Sequence, residues 1–116
     1  MSFTIYHNPR CSKSRETLQL LRDKEVEPTI IEYLVAPPTV EELRHIVSLL
    51  GIKPRALLRT GEDEYKEAGL DDMSLSDEVI LEKMVVYPRV IERPIVIKDG
   101  KQAVIGRPPK LVASLL

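Results

Sequence analysis

Cysteine occurs once in the 116 residues, at Cys11, and this excludes an internal disulfide. A redox cycle that begins on this thiol must be completed by a thiol from another molecule, so an outside reductant is implied. Histidine is nearly as scarce. Two histidines and one cysteine, with no clustered ligand spacing, leave nothing from which to build a structural or catalytic zinc site. Charge of one sign is missing as well: 17 basic against 18 acidic residues give a net charge of −1. A nucleic-acid binder would show a basic excess on one face or element. No apolar run reaches membrane-spanning length, and M-S-F-T-I-Y at the start lacks the basic region and apolar stretch of a targeting signal. The expectation is a cytoplasmic protein with no metal, nucleic-acid or membrane partner. Internal repeats and low-complexity tracts are also absent.

What is present is ordinary globular material, 43% hydrophobic and 30% charged, in a length that suits one domain spanning 1–116. A monomer is expected. The chemically distinctive stretch is I-Y-H-N-P-R-C-S-K-S-R, from Ile5 to Arg15. Phe3-Thr4-Ile5-Tyr6 is a β-branched and aromatic run, Asn8-Pro9 is a break, and Thr17-Leu18-Gln19-Leu20-Leu21 has helical apolar spacing. Strand, tight loop and helix therefore place Cys11 at a helix start. Unpaired amides and a positive partial charge at that end favour thiolate over thiol and attract an anion to the same place. Ser12, Ser14, Lys13, Arg10 and Arg15 add hydroxyls and positive charge around it. A lone cysteine usually serves as a small buried hydrophobe, but such residues sit inside apolar runs, not between Arg10 and Lys13 after a proline.

The first helix is expected to end near Lys24 to Val26, and Pro28 to Leu34 reads as a second strand, completing a βαβ unit with parallel strands. After Pro37-Pro38, Thr39 with Glu42 forms a capping box for a helix whose Val40, Leu43, Ile46, Val47 and Leu50 share one face, stopped by Gly51. His45 falls on that helix as a partly exposed residue. Pro54 opens a further helical piece over Arg55–Arg59, Glu62 to Ala68 is a short helix closed by Gly69, and Ser76 caps one running to Met84 or Val86. Two strands around Asp99-Gly100, a type I′ hairpin signal, follow from Pro94 to Ile105. A terminal helix from Lys110 to Leu116, opened by prolines, is expected to pack its leucines and Val112 on the sheet. The fold class is α/β: a thioredoxin-like βαβ–ββα mixed four-stranded sheet with a helical insertion at about 39–86.

Arg93-Pro94 and Arg107-Pro108 flank the terminal hairpin, and the residue before proline is held extended, so each arginine is aimed. In a thioredoxin-like arrangement Arg93 would point at Cys11, and Pro94 is a candidate cis-proline. A tyrosine-phosphatase loop would place an arginine after the cysteine and five intervening residues; Thr17 occupies that place and Arg15 comes two residues too early. If the substrate is an oxyanion, its positive partners must come from arginines distant in sequence. Any one of Arg59, Arg93 and Arg107 is ordinarily a surface ion-pair residue. Three of them at structural junctions, with one thiol, favour bidentate recognition of a tetrahedral oxyanion.

The segments Y-H-N-P-R-C-S-K-S-R, E-Y-L-V-A-P-P-T, R-A-L-L-R, E-R-P-I-V and I-G-R-P-P together resemble the glutaredoxin-coupled arsenate reductase family, and especially its short bacterial members. The resemblance spans essentially the whole chain. It implies that Cys11 is the nucleophile and that Arg59, Arg93 and Arg107 form the oxyanion triad, with His7, Ser14 and Arg15 around the thiol as pKa-tuning and anion-loop residues. It implies arsenate as substrate, glutathione as co-substrate, glutaredoxin as partner and no permanently bound cofactor. The loop reads C-S-K-S-R where well-known resistance enzymes of the family carry C-G-T-S-R. Two other readings stand beside it. One is a thiol-dependent reductase or glutathione-binding protein acting on another substrate. The other is an RNA-polymerase-binding redox regulator, disfavoured because Ser14 stands where such switches carry a second cysteine.

Overall fold

The computed structural model describes residues 2–116. It divides into two compact units, one built from residues up to Ala36 together with Arg93–Leu116, the other from Pro37–Glu92.

The first unit is a sheet with one helix and a terminal 3-10 segment. Strand β1 (Phe3–His7) runs through the middle, helix α1 (Ser12–Asp23) follows the Asn8–Cys11 loop, and β2 (Thr29–Glu32) returns parallel to β1. β3 (Ile95–Lys98) pairs antiparallel with the other side of β1, with Ile5 opposite Val96, and β4 (Gln102–Ile105) closes the order β2-β1-β3-β4. The predicted mixed four-stranded, thioredoxin-like sheet is what forms. Its two central strands carry the β-branched and aromatic residues and are buried almost throughout, whereas β2 is largely exposed. An edge strand four residues long offers little template for unwanted pairing. Phe3, Ile5, Leu18, Leu21, Val96, Val112 and Leu115 form one core between the sheet, α1 and the chain end. Asp99 and Gly100 both have positive φ, +54° and +68°, as a type I′ turn requires.

The C-terminal segment departs from expectation. Pro109–Leu115 is 3-10 rather than α-helical, and only Val112 and Leu115 are buried, while Leu111 and Leu116 stay exposed. Three residues per turn puts Val112 directly below Leu115, so this tighter winding presents that pair to the core and turns the other two outward.

The second unit is helical. It holds helices α2 (Val40–Leu50), α3 (Asp63–Glu67) and α4 (Asp77–Val86), with a 3-10 turn at Pro54–Leu57 between α2 and α3 and another at Pro88–Val90 after α4. The capping box at α2 is reciprocal: the Thr39 hydroxyl accepts from the Glu42 amide, and the Glu42 carboxylate accepts from the Thr39 amide, each at 3.1 Å. Leu43, Ile46 and Val47 bury the apolar face, Gly51 ends the helix at φ +68°, and His45 is exposed. Ser76 caps α4 by accepting from the Val79 amide at 3.3 Å. The helical piece read over Arg55–Arg59 is shorter than its pattern implied. Its last two residues leave the helix, because Leu58 forms a bridge with Ile91 and the Arg59 amide donates to the Val90 carbonyl at 2.7 Å. Among the described residues no helix is long and apolar enough to cross a membrane.

Replacing Thr39 with Ala removes half of the capping box, and the expected loss is about 1 kcal/mol of stability. Urea unfolding of Thr39→Ala against the unmodified protein measures it; an unchanged midpoint would show that the box does not bear on stability.

Candidate active site

Cys11 is the N-cap of α1, with φ −93° and ψ 122°, so its carbonyl already receives the first helical hydrogen bond, from Arg15 at 3.0 Å, while its side chain stands outside the helix. Asn8 makes this junction. Its carbonyl accepts from the Cys11 amide and its side-chain oxygen accepts from the Arg10 amide, both at 3.0 Å, folding the loop back on itself. Asn8 is buried, a role its reading as a simple chain break did not contain. Arg15 braces the same loop by donating to the Pro9 carbonyl at 2.9 Å. This contact helps to hold the loop's shape.

The cysteine is half-buried, and partial burial on its own pushes the thiol up. That is outweighed by the nearby amides of Ser14 and Lys13 and by the Arg93 guanidinium, so the thiol lies below its ordinary range. Arg107 comes from the far end of the chain, with Nη1 3.9 Å from the sulfur and 3.3 Å from the Arg93 carbonyl. The two arginines thus stand beside one sulfur and are linked to each other. Both precede cis prolines, Pro94 and Pro108. Pro94 is the candidate that the sequence offers, and Pro108, carried by the same Arg-Pro pairing, is a second cis proline.

Behind the thiol, Ser14 is fully buried and its hydroxyl lies 2.6 Å from His7 Nδ1 and 3.0 Å from the Asn8 amide. Ser14 accepts from that amide, and its hydroxyl also hydrogen-bonds the His7 ring at Nδ1. Burial lowers the His7 pKa first of all, with Arg22 and Arg15 acting in the same direction against Glu32, and this agrees with a neutral ring. His7 and Ser14 tie the end of β1 to the first turn of α1. Ser14 reaches the sulfur through its amide, not its hydroxyl.

Arg59 belongs to the Pro37–Glu92 unit. There its Nη1 donates to the Glu92 carboxylate at 2.8 Å and its Nε lies 3.5 Å from Glu62. Neither glutamate was singled out from the sequence, because their pairing with Arg59 depends on the Leu58–Ile91 bridge. The grouping that the first unit does assemble is Cys11, Arg93 and Arg107, with His7, Ser14 and Arg15 supporting the loop.

The model of the ArsC family matches residues 6–115, which include each of these groups. The chain belongs to the ArsC family. It is 46% identical to the arsenate reductase of Haemophilus influenzae with both chains covered in full, and 50% identical to the Escherichia coli protein YfgD over 97% of this chain and 94% of that one. The solved structure of the arsenate reductase from Vibrio cholerae superposes with a TM-score of 0.95 at 49% identity, covering 100% of this chain and 98% of that one.

The lowered thiol pKa in this ArsC chain sets the direction of a pH experiment. A depressed pKa keeps the thiolate populated below the roughly 8.5 of a free cysteine, so the iodoacetamide rate should reach half its plateau at a pH lower than that. In Arg93→Ala the midpoint should move up towards the free value. A wild-type midpoint at or above the free thiol would contradict the reading of the loop.

Proposed function

We propose that this protein is an arsenate reductase that works through a covalent Cys11 intermediate with glutathione and glutaredoxin as reductants. The observation that carries the reading is the placement of two arginines, Arg93 and Arg107, on a thiol at a helix N-cap. A thiolate alone suits many electrophiles. A thiolate flanked by planar, permanently charged donors and helix amides suits an electrophile that is itself an oxyanion. Membership of the ArsC family and the near-full-length likeness to arsenate reductases support arsenate as that oxyanion.

The Cys11 sulfur attacks arsenic(V), and an arsenate oxygen leaves as water, giving a Cys11 thiol arsenate ester with two hydroxyls and one oxo group. Arg93 and Arg107 hold the negative oxygens, and the amides of Lys13 and Ser14 stabilise the thiolate before attack. Glutathione then displaces a second water from arsenic, forming an arsenic-bound sulfur pair. The glutaredoxin thiolate attacks the glutathione sulfur: a glutaredoxin–glutathione disulfide forms, the sulfur–arsenic bond breaks, and its electron pair remains on arsenic, which becomes arsenic(III) still bonded to Cys11. Water releases arsenite and regenerates the thiol. The two electrons thus come from two external thiols, in keeping with a chain that has one cysteine. The cytoplasm, with its reducing thiol pool, is the compartment this cycle fits.

The deciding measurement is NADPH oxidation by the purified protein with glutathione, glutathione reductase and glutaredoxin, with and without arsenate. Oxidation that needs arsenate, falls to background in Cys11→Ser and leaves that variant's cooperative unfolding intact is the expected result. No arsenate-dependent oxidation beside a rapidly alkylated Cys11 would overturn arsenate as the substrate and redirect the thiol to another oxyanion or thiol partner.

A further inference from the structure

Thr17 occupies the position five residues beyond the nucleophile's neighbour Ser12, where a sequence-local phosphate loop would carry its arginine, and it is fully buried. Its hydroxyl donates to the Lys13 carbonyl at 2.8 Å, which directs it inward from the first turns of α1, and it lies 3.5 Å from the Gly106 carbonyl. Gly106 is also buried, and its amide donates to the Pro94 carbonyl at 2.9 Å. A Cβ on Gly106 would stand 2.6 Å from the Thr17 hydroxyl, 3.0 Å from Pro94 Cγ and 3.2 Å from the Thr17 methyl. The first of these is closer than real carbon atoms approach, so the backbone lies directly on the helix here because residue 106 has no side chain. The next residue is Arg107, whose guanidinium reaches Cys11 and the Arg93 carbonyl.

From this geometry we infer that Thr17 and Gly106 are positioning residues for the oxyanion site: their contact sets how far Arg107 reaches over Cys11. The helix position that cannot supply an arginine itself serves as the landing surface for the segment that brings one. Neither residue touches the thiol, and neither is a catalytic residue. A methyl at Gly106 pushes the Arg107 backbone away from α1, and displacement of a charged donor by a fraction of an ångström is enough to weaken a bound oxyanion substantially. Thr17→Ala removes the two Thr17 atoms that oppose that methyl, leaving the Pro94 ring as the remaining tight neighbour.

This inference rests on the oxyanion reading of Cys11 and can fail separately from it. Full-length wild type, Gly106→Ala, Thr17→Ala and the double variant are alkylated with iodoacetamide across an arsenate titration, and thermal unfolding of each is recorded. Gly106→Ala should need about tenfold more arsenate for half-protection of Cys11, and the double variant should recover most of that loss. Shifted unfolding temperatures with protection unchanged would reduce the contact to packing and overturn the proposal. So would a double variant that unfolds cooperatively yet is protected no better than Gly106→Ala. Should Gly106→Ala not unfold cooperatively, Thr17→Ala alone decides: slack at the contact weakens protection severalfold, and wild-type protection refutes the assignment. A wild type that arsenate does not protect sinks the oxyanion reading and this inference together. A protected wild type beside unaltered variants sinks this one alone.

Discussion

The hydrogen-bonding deficit at the start of α1 is the constraint on which the candidate site depends. The first amides of a helix have no partners within it, and here those of Lys13 and Ser14 are directed at the sulfur of the N-cap residue. A cysteine is a poor cap in its neutral form, and α1 has no side-chain cap hydrogen bond. As a thiolate the same side chain becomes the charge that the helix end lacks. Local stability and reactivity therefore favour one protonation state. Asn8, Ser14 and Arg15 serve that arrangement by closing the loop around its own backbone, so the amides are presented by a braced turn instead of a free chain end.

Electrostatics explains why the helix alone is insufficient. Partial burial of the thiol opposes ionisation, and it is the largest single influence on Cys11. The helix amides and Arg93 have to overcome it. Arginine suits this better than lysine because its charge survives desolvation and its flat donor edge can serve a sulfur and, later, an oxyanion. The Arg107–Arg93 carbonyl contact adds a further economy: one arginine braces the backbone that carries the other.

Much of this was readable from residue order because the signals are local. The strand-loop-helix around Cys11, the Thr39–Glu42 box, the Asp99-Gly100 turn and the βαβ unit each depend on neighbours within a few positions, and each forms at its expected place. The departures arise where distant segments decide. Leu58 and Arg59 have helical composition but are drawn into a bridge by Ile91, and the chain end winds as 3-10 because Val112 and Leu115 have to meet a core formed chiefly by the first third of the chain. Arg15 is near the thiol in sequence, and the contact that the fold gives it is with the Pro9 carbonyl of the loop. Glu62 and Glu92 are unremarkable in sequence and acquire meaning only through the fold that sets them on Arg59.

The span between Cys11 and Arg107 has a consequence during synthesis. The guanidinium that stands 3.9 Å from the sulfur lies 96 positions later in the chain. On the ribosome the cysteine is made well before Arg93 and Arg107, and β1 well before its β3 partner. The full set of groups around this thiol therefore exists only after the segment that carries Arg107 has been made.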